Sequence, residues 1–531
     1  MQKRLACLVL ALVLIVGGIA GAERAAEQIV RFNIGAEPET LDPAKSTGVP
    51  EARIELNVFE GLTRLDENDM PQPAIAESWE ISEDGLRYVF HLRKSQWSNG
   101  DPVTAHDFEY AWKRALAPET ASQYAYQLFY IKNGEAYNAG EITDPSLVGV
   151  RALDDYTLEV ELEAPTAYFL SLAAFPTLMP VNRKVVEADP EGWFLKPETY
   201  VGNGPFKVTK WVHNSYLELE KNPLYWDADS VILDKLVATT IESEDTELVM
   251  FETGQLDITN TVSRPEIPRL EREGLLKVIP NLGTYYYIFN CEVEPLNDPR
   301  VRKALSMAID REAITEYVTR AGEIPAFAFV PPGIPDAKPG EDFREVGGDL
   351  IEENVEKAKA LLAEAGYPDG KGFPTLNILY NTMDMHKAIA EVIQEFWKKN
   401  LNIDVRLMNQ EWGVYLNSRD EGDFEIARAG WIGDYVDPMT FMDMHVKDGG
   451  NNDSNWSDPE HDRLIQLAKS SNDPAVRMQA MHEAEAILMD QLPVMPIYYY
   501  VEAFLEKDYV KDVIYSSLGF IDFKYAWVAK H

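Results

Sequence analysis

The side chains that most often carry out chemistry in proteins do not form a known catalytic pattern in this sequence. It contains no GxSxG nucleophile elbow, no HExxH zinc motif, no P-loop and no GxGxxG dinucleotide fingerprint. Its eight histidines are scattered, and no two have the i, i+4 spacing that a helical metal site uses; they are His91, His106, His213, His386, His445, His461, His482 and His531. The sequence therefore predicts no catalytic centre, no metal site and no cofactor.

Two local patterns could still suggest a site. The run Gly202-Asn203-Gly204-Pro205 could cradle a phosphate, but no helix signal follows it, so a turn that enters a strand explains it better. Asp154 and Asp155 could act as a glycosidase pair, but they lie in a turn before a strand and are better explained as solvated. The cysteines, Cys7 and Cys291, are too few for a disulfide scaffold or a Cys-rich metal module.

Length and charge limit the functional classes. At roughly 100–200 residues per domain, 531 residues predict about three domains. The 49 basic and 88 acidic residues give a net charge of −39, which repels phosphate backbones, so nucleic acid is not an expected partner. Aromatic residues make up 11% of the chain, enough for large cores and an aromatic-lined site. We expect a monomer.

Residues 1–22 are predicted to be a cleaved signal peptide. Lys3 and Arg4 precede an apolar run over residues 5–19, and small residues follow it at Ala20-Gly21-Ala22. The run is shorter than the ~20 residues of a membrane-spanning helix, although an uncleaved anchor stays an alternative. Cys7 lies near the start of the run, whereas a lipoprotein signal needs its cysteine after it. The sequence thus predicts a periplasmic protein without a lipid anchor.

Strands and helices alternate along the mature chain. Alternating apolar residues predict strands over residues 88–93, 157–162, 216–220 and 405–408. Capping residues and helical spacing predict helices from Asp298-Pro299, over residues 354–365 and 386–400, and from Asp473-Pro474 to residue 488. A long loop is expected over residues 331–348. The mixed order indicates an α/β protein with some α+β character.

Several strings resemble one known family. They are residues 97–105 (WSNGDPVTA) with Asp107-Phe108, residues 41–43 (LDP), 59–62 (FEGL), 204–206 (GPF), 297–302 (NDPRVR) and 308–311 (AIDR). The sequence resembles the periplasmic oligopeptide-binding proteins of ABC importers, also called extracellular solute-binding protein family 5. The resemblance covers nearly the whole mature chain.

The resemblance implies an α/β, three-domain periplasmic-binding-protein-like fold, with two lobes joined by a hinge and an extra inserted domain. Domain I would combine residues 23–59, 184–282 and 502–531. Domain II would be the insertion at residues 60–183, and domain III, the main ligand-binding lobe, residues 283–501. Short peptides would be enclosed between domains I and III and delivered to the membrane permease and ATPase subunits of an ABC importer.

The ligand-binding residues also follow from the resemblance. Glu411-Trp412, Arg419, Asp423-Phe424 and residues 427–434 (ARAGWIGD) with Tyr435 are similar to the oligopeptide branch. This implies that Asp434 receives the peptide ammonium, and that Arg428, Arg419 and His386 are candidates for the carboxylate. Peptide backbone would pair near Val49, Tyr124, Gly430 and Ile432, and the side-chain pockets would be lined by Trp412, Trp431, Tyr286, Asn381, Asn451 and Tyr500.

Plainer interpretations of these residues stay open at the sequence level. Asp434 could be a turn residue, Arg428 could pair with an interior carboxylate, Trp431 could belong to the core, and His386 could be only a first-turn residue. Two departures from the family matter. Well-known relatives carry a glutamate where this chain has Thr47, and that glutamate pairs with the arginine that matches Arg428. Some relatives join the positions of Gly283 and Ile432 by a disulfide that is absent here.

Three functions compete. The first is the capture of peptides with little sequence preference for an ABC importer. The second is the same fold with another solute, such as an oligosaccharide or a metal chelate, for which the loss of the glutamate at Thr47 leaves room. The third is a secreted enzyme, which a turnover assay would detect.

Overall fold

The computed structural model describes residues 23–531, so the predicted signal peptide lies outside the described residues. The strands are β1 (Ile29–Asn33), β2 (Thr63–Leu65), β3 (Pro71–Pro73), β4 (Ala76–Ile81), β5 (Arg87–Leu92), β6 (Ser95–Gln96), β7 (Pro102–Val103), β8 (Val150–Asp154), β9 (Thr157–Glu161), β10 (Phe206–Val212), β11 (Tyr216–Lys221), β12 (Lys235–Thr239), β13 (Leu276–Phe289), β14 (Ile324–Pro325), β15 (Leu376–Asn381), β16 (Val405–Gln410), β17 (Ile426–Ile432), β18 (Val494–Leu505), β19 (Val510–Lys511), β20 (Ile514–Tyr515), β21 (Ile521–Asp522) and β22 (Trp527–Val528).

The α-helices are interspersed with these strands. They are α1 (Val49–Val58), α2 (Ala105–Leu116), α3 (Gly134–Asn138), α4 (Phe169–Leu172), α5 (Arg183–Ala188), α6 (Glu244–Glu252), α7 (Ile267–Glu273), α8 (Pro299–Met307), α9 (Arg311–Ile314), α10 (Phe343–Gly347), α11 (Val355–Glu364), α12 (Asp384–Leu401), α13 (Trp412–Asp420), α14 (Met439–Met442), α15 (Pro459–Ser470) and α16 (Pro474–Gln491). Within residues 23–531, no helix is both long and apolar enough to cross a membrane.

Three sheets organise the chain. A four-stranded sheet has the order β1-β12-β11-β10, a second has the order β4-β5-β9-β8, and a six-stranded sheet has the order β14-β18-β13-β17-β15-β16. The first lies in the ranges predicted for domain I and the second in the range predicted for domain II. The third lies mostly in the range predicted for domain III. Strand β13 begins in the range predicted for domain I, and strand β18 ends in it. The domain boundaries themselves stay a prediction.

Strands β13 and β18 form the connection between two of the predicted domains. They pair antiparallel over both ends, but the register shifts between Pro280 and Thr284, where the pairing skips residues of β13. A β-bulge of this kind bends the ribbon locally and increases its twist. The irregularity falls where the chain passes from predicted domain I to domain III.

Local sequence explains most of the elements. The predicted strands match β5, β9, β11 and β16, and the predicted helices match α8, α11, α12 and α16, with differences of a few residues at the ends. Three of these helices start at a side-chain cap: Asp298, Asn354 and Asp473 each accept a hydrogen bond from a backbone N–H of the first turn. Helix α12 starts two residues before His386.

The expected loop over residues 331–348 is partly wrong, because it contains the short helix α10. Asp342 caps this helix by accepting hydrogen bonds from the N–H groups of Arg344 and Glu345. The run at Gly202 does precede strand β10. A Cβ on Gly202 would lie 2.1 Å from the carbonyl oxygen of Val58, so glycine is required there for close backbone approach.

Candidate functional site

A cavity of about 310 Å³ lies between the predicted domains. It is lined by the start of α1, the 3-10 helix Gln123–Leu128, the starts of α12 and α13, and strands β15, β17 and β18. All of the predicted site residues except Tyr286 line it: Asp434, Arg428, Arg419, His386, Trp412, Gly430, Trp431, Ile432, Val49, Tyr124, Asn381, Asn451 and Tyr500. Predicted site residues up to 451 positions apart in the sequence, from Val49 to Tyr500, therefore meet around one cavity.

Asp434 is a buried carboxylate without a cationic partner among the described residues. Oδ2 accepts a hydrogen bond from Gln127 Nε2 at 2.5 Å, and Thr440 Oγ1 lies 3.3 Å from the same oxygen. Burial is the main reason that the pKa of Asp434 is raised well above its ordinary value, and the neighbouring carboxyl of Asp443 raises it further. A cation that enters the cavity would relieve this cost.

Arg428 is the converse case, a buried cation without a carboxylate partner among the described residues. One Nη donates to Asn381 Oδ1 at 3.2 Å, the other donates to the Tyr500 hydroxyl at 2.8 Å, and the guanidinium lies 4.7 Å from the ring centre of Tyr285. No carboxylate among residues 23–531 forms an ion pair with Arg428, so the sequence-level alternative of an interior carboxylate partner is not what the structure contains. Thr47, where relatives carry a glutamate, lines the same cavity.

The other two candidate carboxylate partners differ from Arg428. Arg419 is already ion-paired with Asp453, to which its Nε donates at 2.9 Å. Burial, followed by the nearby charges of Arg428 and Arg264, lowers the pKa of His386 well below its ordinary value. His386 is therefore neutral at pH 7 and could offer a carboxylate a hydrogen bond, but not a charge.

Aromatic side chains cover much of the cavity wall. Trp431 stacks on Tyr124 with ring centres 5.9 Å apart, and Trp412 stacks on Tyr415 at 5.8 Å. Tyr286 is the exception among the predicted residues. It is buried in the core, packs edge-on against Phe329 at 5.1 Å and does not line the cavity.

The backbone of β17 offers an open edge to a ligand. Its ladder with β15 contains only the pairs Ile378–Ile426 and Leu379–Ala427, so within residues 23–531 no strand pairs with residues 428–432 on that side. Their other side pairs with β13, where Gly283 lies opposite Ile432, the two positions that some relatives link by a disulfide. An extended peptide could therefore add to this edge of β17.

Sequence reasoning missed several residues around the cavity. Arg53 on α1 donates to Glu502 Oε1 at 2.7 Å, and Arg264 donates to Glu323 Oε1 at 3.1 Å. Both pairs line the cavity. Gln127, which contacts Asp434, was also missed. In each case the partners are distant in sequence, and neither residue belongs to a motif. Among residues 23–531, no group of three side chains could hold a metal ion.

Comparison with known proteins gives three findings. The family model described as bacterial extracellular solute-binding proteins, family 5 Middle, matches residues 70–453. The dipeptide-binding protein DppE of Bacillus subtilis is 40% identical over 509 residues, which cover 95% of this chain and 93% of that protein. The crystal structure of Haemophilus influenzae OppA in complex with RPPGFSPFR is 36% identical, has a TM-score of 0.89, and covers 96% of this chain and 100% of its own. The predicted mixed α/β fold class is thereby confirmed.

A third relative has been solved in two arrangements. The Escherichia coli murein tripeptide-binding protein MppA matches with a TM-score of 0.89 and 35% identity, covering 96% of this chain and 100% of its own. The unliganded open form of MppA, at the same identity, matches with a TM-score of only 0.63, covering 96% of this chain and 99% of its own. The arrangement of the present structure is therefore far from that open form.

Proposed function

The chain belongs to the bacterial extracellular solute-binding proteins of family 5, and we propose that it captures short peptides outside the cytoplasm and delivers them to the permease and ATPase subunits of an ABC importer. The relatives at 36–41% identity include proteins named for binding dipeptides and oligopeptides. The family and these relatives are binding proteins, which supports the proposal that this chain acts as a receptor.

One observation supports peptides above other solutes. A single cavity contains a buried carboxylate without a cation, Asp434, and a buried guanidinium without a carboxylate, Arg428. A peptide carries one ammonium and one carboxylate, and each loses its hydration when the cavity closes. Asp434 binds the ammonium, and Arg428 binds the carboxylate of the shortest ligands.

Little sequence preference is expected from this arrangement. The charged termini and the open edge of β17 hold groups that all peptides share, while broad aromatic walls accept varied side chains. In this proposal, residues 1–22 are a cleaved signal peptide, and the mature chain is a periplasmic monomer whose domain III, residues 283–501, supplies most of the ligand contacts.

Calorimetry with Asp434→Ala tests the role of the carboxylate. Leaving a buried ammonium unpaired costs roughly 3–5 kcal/mol, reduced here by water that can enter, so affinity for a tripeptide should fall about 10²–10³-fold. The N-acetylated tripeptide should bind wild type about as weakly, because it brings no charge to Asp434.

The matched control is Asp420→Asn, another cavity-lining carboxyl, which should change the affinity only a few-fold. Equal affinity of wild type for free and acetylated peptides would remove Asp434 from this role. If wild-type protein shown to be ligand-free binds no peptide at all, the proposed function itself is wrong.

A further inference from the structure

Gln127 is a fully buried amide that contacts the carboxylate of Asp434. It lies on the 3-10 helix Gln123–Leu128 of the predicted inserted domain, 307 residues away from Asp434 in the sequence. Nε2 donates to Asp434 Oδ2 at 2.5 Å, while Oε1 has no hydrogen-bond partner among the described residues. A buried amide that leaves its own carbonyl unsatisfied destabilises the fold. The contact with Asp434 is the main hydrogen bond that this amide makes.

The two oxygens of Asp434 have different surroundings. Gln127 and Thr440 both contact Oδ2, and Thr440 Oγ1 also accepts from the backbone N–H of Asp434 at 3.0 Å. The Tyr124 side chain also hydrogen-bonds the Asp434 carboxyl, and Oδ1 is not among the buried atoms without a partner. Gln127 and Thr440 thus hold Oδ2, and Oδ1 remains for Tyr124 and for a ligand in the cavity, which Asp434 and Tyr124 both line.

A neutral donor suits this position. A lysine at residue 127 would neutralise Asp434 and compete with the ligand, whereas an apolar side chain would leave Oδ2 without this partner. The amide donates one hydrogen bond and carries no charge, so the negative charge stays available. This donor also counteracts the effect of burial on the pKa of Asp434, because it stabilises the ionised form.

We propose that Gln127 is a positioning residue for ammonium recognition, which fixes Oδ2 of Asp434 so that an ionised Oδ1 meets the ligand. The inference rests on the proposed binding of peptide ammonium by Asp434. It also makes the inserted domain part of ammonium recognition, because Gln127 reaches Asp434 from residues 60–183.

The test measures the pH dependence of affinity in Gln127→Met, which keeps the length of the side chain but removes the donor. Without this donor, Asp434 becomes protonated at a higher pH, and a protonated carboxyl cannot pair with an ammonium. At pH 7 a tripeptide should bind about tenfold more weakly than to wild type, the effect of one hydrogen bond to a charged group. The loss should grow towards pH 5 and shrink towards pH 7.5, which is still below the titration of the peptide's own α-amino group at about 7.7–8.0.

The N-acetylated tripeptide provides the internal control. It should bind the variant and wild type equally, since no charge reaches Asp434. A loss that is the same at every pH and the same for free and acetylated peptides would mean that Gln127 supports only the fold, and the proposal would be overturned.

Thr440→Val is a second variant in case Gln127→Met does not fold. It removes the other side-chain contact to Oδ2 and should shift the pH profile in the same direction, and an unshifted profile would count against the proposal. Failure of wild type to distinguish free from acetylated peptide would instead contradict the role of Asp434, and with it the proposed function.

Discussion

Thr47 is one of two positions at which this chain is expected to depart from the relatives that it resembles, and the expected consequence falls on Arg428. Both line the cavity, and the described residues offer Arg428 only neutral partners, the side chains of Asn381 and Tyr500 and the ring of Tyr285. In relatives, the resemblance implies a glutamate at position 47 that occupies this arginine. Here the guanidinium is available to a ligand carboxylate. We therefore expect this protein to bind short peptides more tightly than those relatives do.

Peptide length should therefore decide how much Arg428 contributes. With the ammonium fixed at Asp434, each added residue moves the carboxylate by up to ~3.3–3.6 Å, so one cation cannot serve every length. Arg428→Met should weaken tripeptides by about tenfold or more and spare pentapeptides. Thr47→Glu should have the same length-dependent effect, because the new carboxylate competes for Arg428. Titrations of tri-, tetra- and pentapeptides measure both.

Thr47→Gln is the matched control, since it has the same size as glutamate without the charge, and it should leave the order of affinities unchanged. A uniform loss across all three lengths in Arg428→Met would show that Arg428 supports the cavity generally and is not a length-specific anchor.

The role of a single residue could be predicted where the residue belongs to a continuous sequence motif, and not where it depends on a partner that is distant in the sequence. Asp434, Arg428 and Trp431 belong to one continuous string, residues 427–434, and the structure brings all three to the cavity. Gln127 lies outside any motif, and its partner is 307 residues away, so nothing in the sequence indicates the contact. Tyr286 does not line the cavity, although it lies on the same face of the β13–β17 ladder as Trp431, so the alternation of a strand alone does not predict which side chains reach the cavity.

Two elements of the predicted domain III bring buried histidines together. His445 ends the 3-10 helix Asp443–His445, and His461 lies in the first turn of α15. None of their four ring nitrogens has a hydrogen-bond partner among the described residues. Burial, and then the proximity of His461, lowers the pKa of His445 to about 3; burial also lowers the pKa of His461, although Asp462 opposes this.

Each of these two histidines should consequently destabilise the fold in mild acid, whereas buried carboxyls with a raised pKa, such as Glu51, contribute with the opposite sign. An unfolded histidine titrates near 6.5, so below that pH the unfolded chain binds protons that the folded chain does not. The stabilisation is complete above about pH 6.5 and declines as the pH falls towards the lowered pKa, by up to about 1.4 kcal/mol per pH unit for each histidine. Urea unfolding at pH 7.5 and 5.5 measures this dependence.

His445→Leu should flatten the decline, whereas His106→Leu, at an exposed position, should leave it as in wild type. If both variants keep the wild-type pH dependence, other groups cause the acid sensitivity.

Helices and strands that carry capping residues or clear alternation could be predicted from the sequence. Strands whose extent depends on pairing with a strand far along the chain could not. Helices α8, α11 and α16 carry a capping side chain at their start, and strands β5 and β9 alternate clearly. Strand β13 is 14 residues long, but its exposed first half and its fully buried second half show no single alternation. Its length and bulge depend on pairing with β18, which begins more than 200 residues later.

Across the whole molecule, the described arrangement is closed around the cavity. Trp412 Nε1 donates to Glu51 Oε1 at 3.3 Å and Asn417 donates to Glu39 Oε1 at 3.3 Å, both between predicted domains I and III. Gln127 joins the predicted domain II to Asp434. Contacts of this kind enclose the ligand, and a peptide could not enter while all of them persist. The low TM-score to the unliganded open form of MppA agrees with a closed arrangement.

Closure also brings like charges together at the edge of the cleft. Burial, and then the carboxylate of Asp420 across the cleft, raises the pKa of Glu39; burial raises the pKa of Glu51 to about 7. These carboxyls would be less buried in an open form and would then titrate closer to their ordinary values. Burial and repulsion of these carboxyls both disfavour the closed form, and we expect a bound peptide to offset them.

We therefore expect peptide binding to close the molecule by bending near residues 281–283 and 500–502, where the register of β13 and β18 is irregular. Small-angle scattering of protein freed of retained ligand by unfolding and refolding should show a smaller radius of gyration once a tripeptide saturates it. Asp434→Ala, at the same peptide concentration, should keep the larger radius, because too little peptide binds to stabilise the closed form. An unchanged radius in saturated wild type would mean that the cleft does not close by domain motion, and that the enclosed cavity is already present before the peptide arrives.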